Sequence, residues 1–349
     1  MSVNNKRVFY VKYLAHEIYA DILRARPDVR LDRLENESPE LVSAPILAAA
    51  HAYQIGAARD EINSAFHAHA DLLRRARNLL IVSSNGAGFD PVDVDACTAA
   101  GVLVLNQSGG NAHSVAEHAL GMMLCLAKRI VESDHVLRRD RNVNRNDLMG
   151  TEIRGKTLGI VGIGNVGRRI AQLCSGLFGM TVLAYDPYLT AAEIAARGAK
   201  KVELDDLLRR ADYVSISCPL NKDNRAMIGA KQFALMQKHA FFITTARGFI
   251  HDEAALMQAL REKRIAGAGL DVWDKEPPPP DHPLLQFDNV LASPHTAGVT
   301  REARMNMGKI AAEQILDALD GKRPPRIINP EVWPVYARRF ERAFGFLPG

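Results

Sequence analysis

Short apolar runs alternate with stretches of helical periodicity between about Thr157 and Ser293. This alternation predicts an α/β unit, because parallel strands need crossover helices to connect them. We predict six strands, at 158–161, 181–185, 212–217, 240–245, 269–272 and 289–293. Crossover helices are predicted at 204–210 and from Asp252 to about Lys263. Right-handed crossovers place ligands at the carboxyl ends of the strands, so we expect functional residues there.

The first hundred residues show the same α/β rhythm, with strands predicted at 7–11, 79–82 and 102–105. A glycine turn, Asn85–Asp90, follows the second of these strands and has no dinucleotide-type helix after it. It is either an ordinary tight turn or a loop that presents backbone amides to a small anion. Long helices are predicted over 112–128 and 300–319. The pattern therefore predicts two α/β regions with long helices beside them.

Composition adds broad limits to this picture. A chain of 349 residues exceeds what one hydrophobic core usually serves, so we predict two domains. The 44 Lys and Arg against 40 Asp and Glu leave a net charge of +4, which argues against nucleic acid as a partner. The N-terminal residues lack the apolar core of a secretory signal, and no run of about 18 apolar residues occurs. We therefore expect a cytoplasmic protein without membrane contact.

The four cysteines are Cys97, Cys125, Cys174 and Cys218, and none belongs to a C-x-x-C pair. Disulfide frameworks and zinc sites depend on characteristic cysteine spacings. We therefore expect reduced thiols, most of them buried.

The motif with the clearest chemistry is Gly162-x-Gly164-x-x-Gly167, between an apolar strand and a helical pattern. Its glycines suit a tight turn, a close approach by pyrophosphate, and close packing of the helix on the strand. Asp186 stands at the end of the next strand, where a carboxylate accepts from a ribose 2′-hydroxyl and repels a 2′-phosphate. The glycine pattern alone is also typical of an ordinary turn. With the strands, the helix and the acid, it predicts a dinucleotide site that prefers NAD to NADP.

Five motifs in the family's order resemble those of the D-isomer-specific 2-hydroxyacid dehydrogenases, which include phosphoglycerate, hydroxypyruvate/glyoxylate and D-lactate dehydrogenases. They are a substrate-loop motif, a domain-junction motif, an arginine motif, an acid motif and a histidine motif, at Asn85–Asp90, Asn111–His118, Thr244–Gly248, Leu270–Pro277 and Ser293–Gly298. The resemblance extends from about Leu79 to Pro330, and the residues before it match only in their α/β rhythm. It implies an NAD-dependent oxidoreductase that acts on the CH–OH group of a small 2-hydroxy acid.

The resemblance also implies a discontinuous layout of two Rossmann-like domains. Residues 1–107 and 300–349 would form a flavodoxin-like substrate domain, and residues 108–299 a doubly wound NAD-binding domain. We expect the active site in a cleft between them. The helices that begin near Asn111 and Thr300 are the natural hinge, and closure would exclude water from the substrate.

The family's catalytic residues correspond to Arg247, Glu276 and His295. Arg247 would bind the substrate carboxylate and polarise the C2 oxygen, because its planar guanidinium offers two parallel donors. His295 would be the acid/base, and Glu276 would fix its tautomer and favour the imidazolium form. Each residue alone also has a structural interpretation, as a surface arginine, a loop charge and a packed turn histidine. Their motifs together favour catalysis.

The resemblance implies further contacts. The amides of Ala87 and Gly88 would bind the substrate carboxylate. The cofactor would contact the glycine loop with Asn165 and Val166 at the pyrophosphate, Cys218 and Pro219 at the adenine, and Thr245, Ala246, Asp271 and Gly298 around the nicotinamide. Asp271 has an alternative role as a strand-end cap. His113 and His118 are spaced like metal ligands, but they lack a further ligand cluster, so we expect packing or capping and no metal.

One departure and three alternatives bear on the substrate. Many family members carry a basic residue just before the glycine turn, where this chain has Ser83, Ser84 and Asn85. A phosphorylated substrate is therefore disfavoured, although an approach from Arg59, Arg74 or Arg75 remains open. Formate dehydrogenases share the fold, the arginine and the histidine, but they typically pair the histidine with glutamine, so Glu276 favours 2-hydroxy acid chemistry over this alternative. Phosphonate dehydrogenases and NAD-responsive C-terminal-binding corepressors keep the same three residues, so they remain alternatives.

The family resemblance implies a homodimer formed through the NAD-binding domain. The arginine-rich segment 138–141 is either a solvated loop or part of that contact. We favour the contact, because Leu137, Val143, Leu148 and Met149 would otherwise leave apolar side chains in a polar loop.

Overall fold

The fold is described from a computed structural model, for residues 6–139 and 143–349. The chain divides into two compact units. The first unit is formed by the chain up to Asn111 together with Thr300–Gly349, and the second by Ala112–Val299. The first boundary, predicted at 107, therefore falls at Asn111, and the second falls between Val299 and Thr300.

The strands of the described residues are β1 Lys6–Val11, β2 Val29–Leu34, β3 Ala52–Ile55, β4 Ile81–Ser84, β5 Leu103–Leu105, β6 Thr157–Val161, β7 Thr181–Tyr185, β8 Lys200–Lys201, β9 Tyr213–Ile216, β10 Phe241–Thr244, β11 Gly267–Leu270 and β12 Val290–Ala292. The helices are α1 Ile18–Arg24, α2 Glu40–Ala49, α3 Ala70–Arg75, α4 Val94–Ala99, α5 Ala112–Ala127, α6 Ile130–Arg139, α7 Asn165–Phe178, α8 Ala191–Ala196, α9 Leu204–Arg210, α10 Ala230–Leu235, α11 Glu253–Arg261, α12 Arg301–Leu319 and α13 Trp333–Phe344. In this part of the chain, no helix is both long and apolar enough to cross a membrane.

The first unit contains a parallel sheet in the order β2-β1-β3-β4-β5. Two of these strands, β2 and β3, were missed by the sequence patterns. Strand β2 is an edge strand with charged, partly exposed residues, and β3 is a short buried segment that includes the polar side chain of Gln54. Apolar clusters cover both faces of the sheet, and helices α12 and α13 contribute to one of them.

The second unit contains a parallel sheet in the order β12-β11-β10-β9-β6-β7-β8. All six strands predicted from the sequence are present. The prediction of a six-stranded sheet was nevertheless incomplete, because a two-residue edge strand, β8, pairs with β7 beyond them. A run as short as Lys200–Lys201 has no hydrophobic periodicity to reveal it. Strand order reverses between β6 and β9, which is the position at which doubly wound sheets bind ligands.

The predicted helices of the second unit also occur. Helix α9 has the predicted bounds, and α11 begins after Asp252, whose side chain accepts a hydrogen bond from Ala255 N at 3.0 Å. That bond is a standard N-cap, so the start of α11 is fixed locally. Helix α5 is buried over most of its length and packs on the sheet, where Met122 lies against Gly269 of β11.

Candidate active site

The glycine loop joins β6 to α7 at the point where strand order reverses. Gly162 has a φ of +87°, which favours glycine, and a Cβ there would lie 2.6 Å from Cys218 Cβ. A Cβ on Gly167 would lie 2.3 Å from Gly162 O, so helix and strand meet closely. Around exposed Gly164, no heavy atom of the described residues outside its own chain neighbours and helix backbone lies within 4 Å of the corresponding position. This open side at the start of a 14-residue helix fits a pyrophosphate.

Asp186 follows β7 and holds the same loop. Its Oδ2 accepts from Ile163 N at 3.2 Å, and its Oδ1 accepts from Tyr188 N at 3.1 Å. A carboxylate oxygen has capacity for more than one hydrogen bond, so Asp186 retains acceptor sites for a ribose. The arrangement fits the adenosine half of NAD.

The other predicted cofactor residues also follow carboxyl ends of strands in this sheet. Asn165 and Val166 open α7, Cys218 and Pro219 follow β9, Thr245 and Ala246 follow β10, Asp271 follows β11, and Gly298 follows β12. Thr245 is buried, and its Oγ1 has no hydrogen-bond partner among the described residues. A buried hydroxyl without a partner fits a position that a ligand completes.

Cys218 is held by its own loop. Asn224 Nδ2 donates to Pro219 O at 2.7 Å and lies 3.7 Å from Cys218 Sγ. Burial raises the pKa of the Cys218 thiol to about 11, so it is neutral at physiological pH. An uncharged, half-buried side chain there fits the apolar edge of an adenine.

A short hydrogen bond joins His295 to Glu276. His295 Nδ1 lies 2.7 Å from Glu276 Oε2, and the other carboxylate oxygen accepts from Trp273 N at 3.0 Å. An ionised carboxylate only accepts hydrogen bonds, so Nδ1 carries the hydrogen and Nε2 is left for a substrate. Glu276 is therefore fixed on both oxygens, and it fixes the orientation of the imidazole.

The same contact shifts both pKa values. Burial by itself lowers the pKa of His295, but the hydrogen bond and charge of Glu276 outweigh it, so the pKa is raised above 6.5. Burial by itself raises the pKa of Glu276, but the hydrogen bond and charge of His295 outweigh it, so the pKa is lowered. The pair therefore favours an imidazolium beside a carboxylate.

Asp271 organises the segment that carries His295. Its carboxylate is fully buried and accepts from Thr296 N at 2.8 Å and Ala297 N at 2.9 Å. Its carbonyl accepts from His295 N at 2.7 Å. The structural role considered for Asp271 from the sequence is therefore present, because this side chain caps the turn that follows β12. Its contact with the nicotinamide stays a prediction.

A polar chain continues from Asp271 to helix α5. Ser293 Oγ donates to Asp271 Oδ1 at 2.6 Å and lies 3.0 Å from His118 Nε2. Because the serine hydrogen is used on the carboxylate, His118 Nε2 is the donor in the second bond. The indole of Trp273 also donates to Ser293 O at 3.0 Å. His118 therefore supports the histidine segment.

Arg247 stands in the loop after β10, close to the His295–Glu276 pair. Its Nη1 donates to Ala246 O at 2.7 Å, and its charge opposes the protonation of His295. The next residue is Gly248, where a Cβ would lie 2.1 Å from Trp273 O. Glycine therefore allows the arginine loop to pack directly on the segment that leads to Glu276.

The remaining predicted substrate residues, Ala87 and Gly88, lie in the first unit, in the loop after β4. The carbonyl of Ala87 accepts from Asn106 Nδ2 at 2.7 Å, and that of Gly88 accepts from Ser84 Oγ. Within residues 6–139 and 143–349, no hydrogen bond uses the amides of Ala87 or Gly88. The carbonyls of Ala87 and Gly88 are thus held by hydrogen bonds, while their amides can donate to a ligand. This arrangement fits a loop that binds an anion.

Comparison with known proteins identifies the family. The family model for the D-isomer specific 2-hydroxyacid dehydrogenase, NAD binding domain, matches residues 120–297. The chain belongs to this dehydrogenase family. It is 41% identical over 266 residues to D-3-phosphoglycerate dehydrogenase of Archaeoglobus fulgidus, covering 76% of this chain and 50% of that one. It is 41% identical over 269 residues to glyoxylate reductase of Aeropyrum pernix, covering 75% and 80%.

A solved glyoxylate reductase from Paecilomyes thermophila has the same fold, with a TM-score of 0.82, 25% identity, and coverage of 94% of this chain and 99% of that one. Membership confirms the family, the two parallel-sheet α/β domains, the oxidoreductase class and NAD as the cofactor predicted from the sequence. This family member spans half the length of the phosphoglycerate dehydrogenase that it matches.

Several supporting residues of this dehydrogenase-family site were not identified from the sequence. Trp273 lies inside the acid motif and Ser293 inside the histidine motif. Their positions close to Glu276 and His295 in the sequence could have identified them as supporting residues. The sequence analysis assigned His118 to packing or capping. It could not predict the bond to Ser293, because the two residues are 175 positions apart in the sequence. Among the described residues, no cluster of three or more His, Cys, Asp or Glu side chains is arranged to hold a metal.

Proposed function

We propose that this protein is an NAD-dependent D-2-hydroxyacid dehydrogenase, or 2-keto acid reductase, with His295 as the acid/base. The observation that carries the proposal is the 2.7 Å contact between His295 Nδ1 and Glu276 Oε2, beside Arg247. Bound NAD(H) supplies or accepts the hydride. The glycine loop, Asp186 and the strand-end residues named above would hold it.

His295 would move the substrate proton at Nε2. In reduction, the imidazolium donates this proton to the developing C2 hydroxyl, and in oxidation the neutral ring removes it. The raised pKa of His295 favours the protonated form, so it favours the reductive direction. Glu276 acts through His295, because it fixes the tautomer and stabilises the positive ring.

Arg247 would bind the substrate carboxylate and polarise the C2 oxygen. Its guanidinium presents N–H donors in a planar fork. Two parallel donors suit a carboxylate. We also propose the amides of Ala87 and Gly88 as donors to the substrate carboxylate.

For the substrate class, we propose small unphosphorylated 2-hydroxy and 2-keto acids. Ser83, Ser84 and Asn85 are buried and bring no positive charge to the substrate loop. Of the three arginines considered for a phosphate, Arg74 is paired with Asp71 and Arg75 with Glu40, and Arg59 donates from Nε to Asp90 O at 3.1 Å. The relatives' names, phosphoglycerate dehydrogenase and glyoxylate reductase, span both kinds of substrate.

The direct test is a panel of 2-keto acids with NADH and NADPH, followed at the nicotinamide absorbance. We expect turnover of at least one unphosphorylated acid, a clear preference for NADH, and loss of turnover in His295→Asn. Equal or better catalytic efficiency with NADPH would contradict the role of Asp186. No turnover with any 2-keto acid in a protein that binds NADH would overturn the proposed reaction.

We also propose a homodimer formed through the second unit. Ile130 and Leu137 of α6 are 51% and 71% exposed, and Met149 after it is 71% exposed. Large apolar side chains exposed to this extent are candidates for burial in an interface. The arginine-rich segment proposed for this contact includes Asp140 and Arg141, which lie outside the described residues. The cytoplasmic location stays a prediction.

A further inference from the structure

A second charged side chain holds the glycine loop beside Asp186. Arg197 stands at the C-terminal cap of α8, is half-buried, and donates from Nη1 to Ile163 O at 2.8 Å. Ile163 lies between Gly162 and Gly164, so this arginine reaches the loop that would bind the cofactor pyrophosphate. No sequence motif pointed to it.

Asp186 and Arg197 bind the same residue of that loop. Asp186 Oδ2 accepts from Ile163 N at 3.2 Å, while Arg197 donates to the carbonyl of Ile163. These two bonds keep the guanidinium within about 10 Å of the carboxylate, given the size of a single residue between them. A negative and a positive group therefore both hold Ile163, inside the loop on which the dinucleotide would bind.

The charge of Arg197 is available for an anion. Its acceptor is a neutral carbonyl, and a guanidinium has further N–H donors beyond the one used there. Glu193, one turn earlier on α8, is committed to the helix N-terminus, because its Oε2 accepts from Thr190 N and Thr190 Oγ1, both at 2.8 Å. Among the described residues, no ion pair within 4.0 Å joins Glu193 to Arg197, although, besides the hydrogen bonds from Thr190, the positive charge of Arg197 is one of the influences that lower the pKa of Glu193.

We propose that Arg197 is a second determinant of cofactor choice, a ligand for a dinucleotide 2′-phosphate that the carboxylate of Asp186 keeps away. In the natural protein, the negative charge of Asp186 repels the phosphate, and Arg197 serves to position the glycine loop. Without that negative charge, the guanidinium binds the phosphate by charge-assisted hydrogen bonds. The inference rests on the proposed function only in placing the dinucleotide on this loop.

The test measures binding rather than turnover, by titration of NADH and NADPH fluorescence with the unmodified protein, Asp186→Ser, Arg197→Leu and the double variant. We expect Asp186→Ser to bind NADPH about 10- to 100-fold more tightly than the unmodified protein does. In the Asp186→Ser background, Arg197→Leu should remove this gain in NADPH affinity. Arg197→Lys in the same background should retain part of it. Arg197→Leu alone should weaken NADH binding by about fivefold, through the lost loop contact.

Arg210→Leu in the Asp186→Ser background is the matched control. Arg210 is an exposed arginine paired with Asp206 on α9, and its loss should leave NADPH binding unchanged. If the Asp186→Ser, Arg197→Leu protein binds NADPH as tightly as Asp186→Ser alone, the inference is wrong. This outcome is distinct from failure of the proposed reaction, because a protein that binds both dinucleotides but reduces no keto acid still tests Arg197.

Discussion

His295 has a φ of +55°, a left-handed conformation that few residues other than glycine adopt. Such a conformation costs about 1–2 kcal/mol, so the surroundings must impose it. The three backbone amides that Asp271 accepts, from His295, Thr296 and Ala297, supply that constraint. Asp271 therefore holds the backbone of the histidine segment, and Glu276 holds the ring.

The first prediction concerns His295 itself. His295→Asn removes the titrating group, and we expect turnover to fall by about 10²- to 10⁴-fold, as for loss of a general acid/base. His239→Asn is the control, because His239 forms a comparable contact with Asp212 at 2.7 Å on an exposed surface. Steady-state kinetics on the best keto acid checks this. Near-normal turnover in His295→Asn would exclude the proposed mechanism.

The second prediction concerns the partner of His295. Glu276→Gln removes the charge that holds the pKa of His295 above its ordinary value, so that pKa should fall. In oxidation, the acid limb of the pH profile should move to lower pH. In reduction, activity should begin to decline at lower pH. The affinity for NADH should stay within about twofold of the unmodified protein, which separates this effect from a general loss of structure. An unchanged pH profile would contradict the role of Glu276.

The third prediction concerns His251, which is buried without a partner for either ring nitrogen among the described residues. Burial lowers its pKa from 6.5 to about 4, against the opposing charges of Glu253 and Asp252. Above pH 6.5 the ring is neutral in both the folded and the unfolded chain. Between 6.5 and 4 only the unfolded chain binds the proton, so this residue lowers stability as the pH falls, by about 3 kcal/mol in all.

His251→Leu should remove this contribution. Urea unfolding at several pH values between 4 and 7 would show a smaller loss of stability on acidification than in the unmodified protein. His113→Leu is the control, since His113 is exposed on α5. The same acid sensitivity in His251→Leu and the unmodified protein would show that other groups account for it.

At the scale of elements, helix α5 is linked to the segment after β12 by the bond from His118 to Ser293. His118→Leu removes this donor, and we expect a five- to tenfold loss of kcat, about the effect of one hydrogen bond. His118→Gln keeps an N–H donor and should restore most of the activity, while His113→Leu on the same helix should have no effect. Equal activity in His118→Leu and the unmodified protein would exclude this positioning role.

The elements differed in how far the sequence predicted them. The glycine loop and Asp186 were found because their chemistry is local, with a turn, a helix start and an acid in fixed order. Strand β2 was missed because an edge strand with Asp32 and Arg33 lacks a clear apolar pattern. The bond between His118 and Ser293 joins residues 175 positions apart, so only the folded chain brings them together.

The whole molecule should be a dimer. Sedimentation at micromolar concentration should report about twice the 38.4 kDa chain mass, and Leu137→Glu should shift it toward one chain mass because it charges the apolar face of α6. Leu41→Glu is the control, since Leu41 is 87% exposed in the first unit. A fully active protein that sediments as a single chain would remove the dimer proposal.

The two parts of the first unit are joined by polar contacts as well as by their shared core. Asn329 Oδ1 accepts from Val104 N at 2.9 Å, and its Nδ2 donates to Val102 O at 3.0 Å and to Thr98 Oγ1 at 2.9 Å. Lys6 also contacts Asp320 at 2.6 Å. Residues from both ends of the chain thus complete one fold, while the second unit is continuous.

This layout sets an order of events during synthesis. All strands of the second unit have left the ribosome once Val299 is exposed, whereas the first unit still lacks α12, α13 and Asn329. The N-terminal part of the first unit therefore cannot complete its fold until residues 300–349 emerge. Until then, α12 and α13 do not cover one apolar face of its sheet. Nascent chains normally fold from the N-terminus onward. Here we expect the inserted unit to fold first, and the N-terminal segment to acquire its native packing only after residues 300–349 are available.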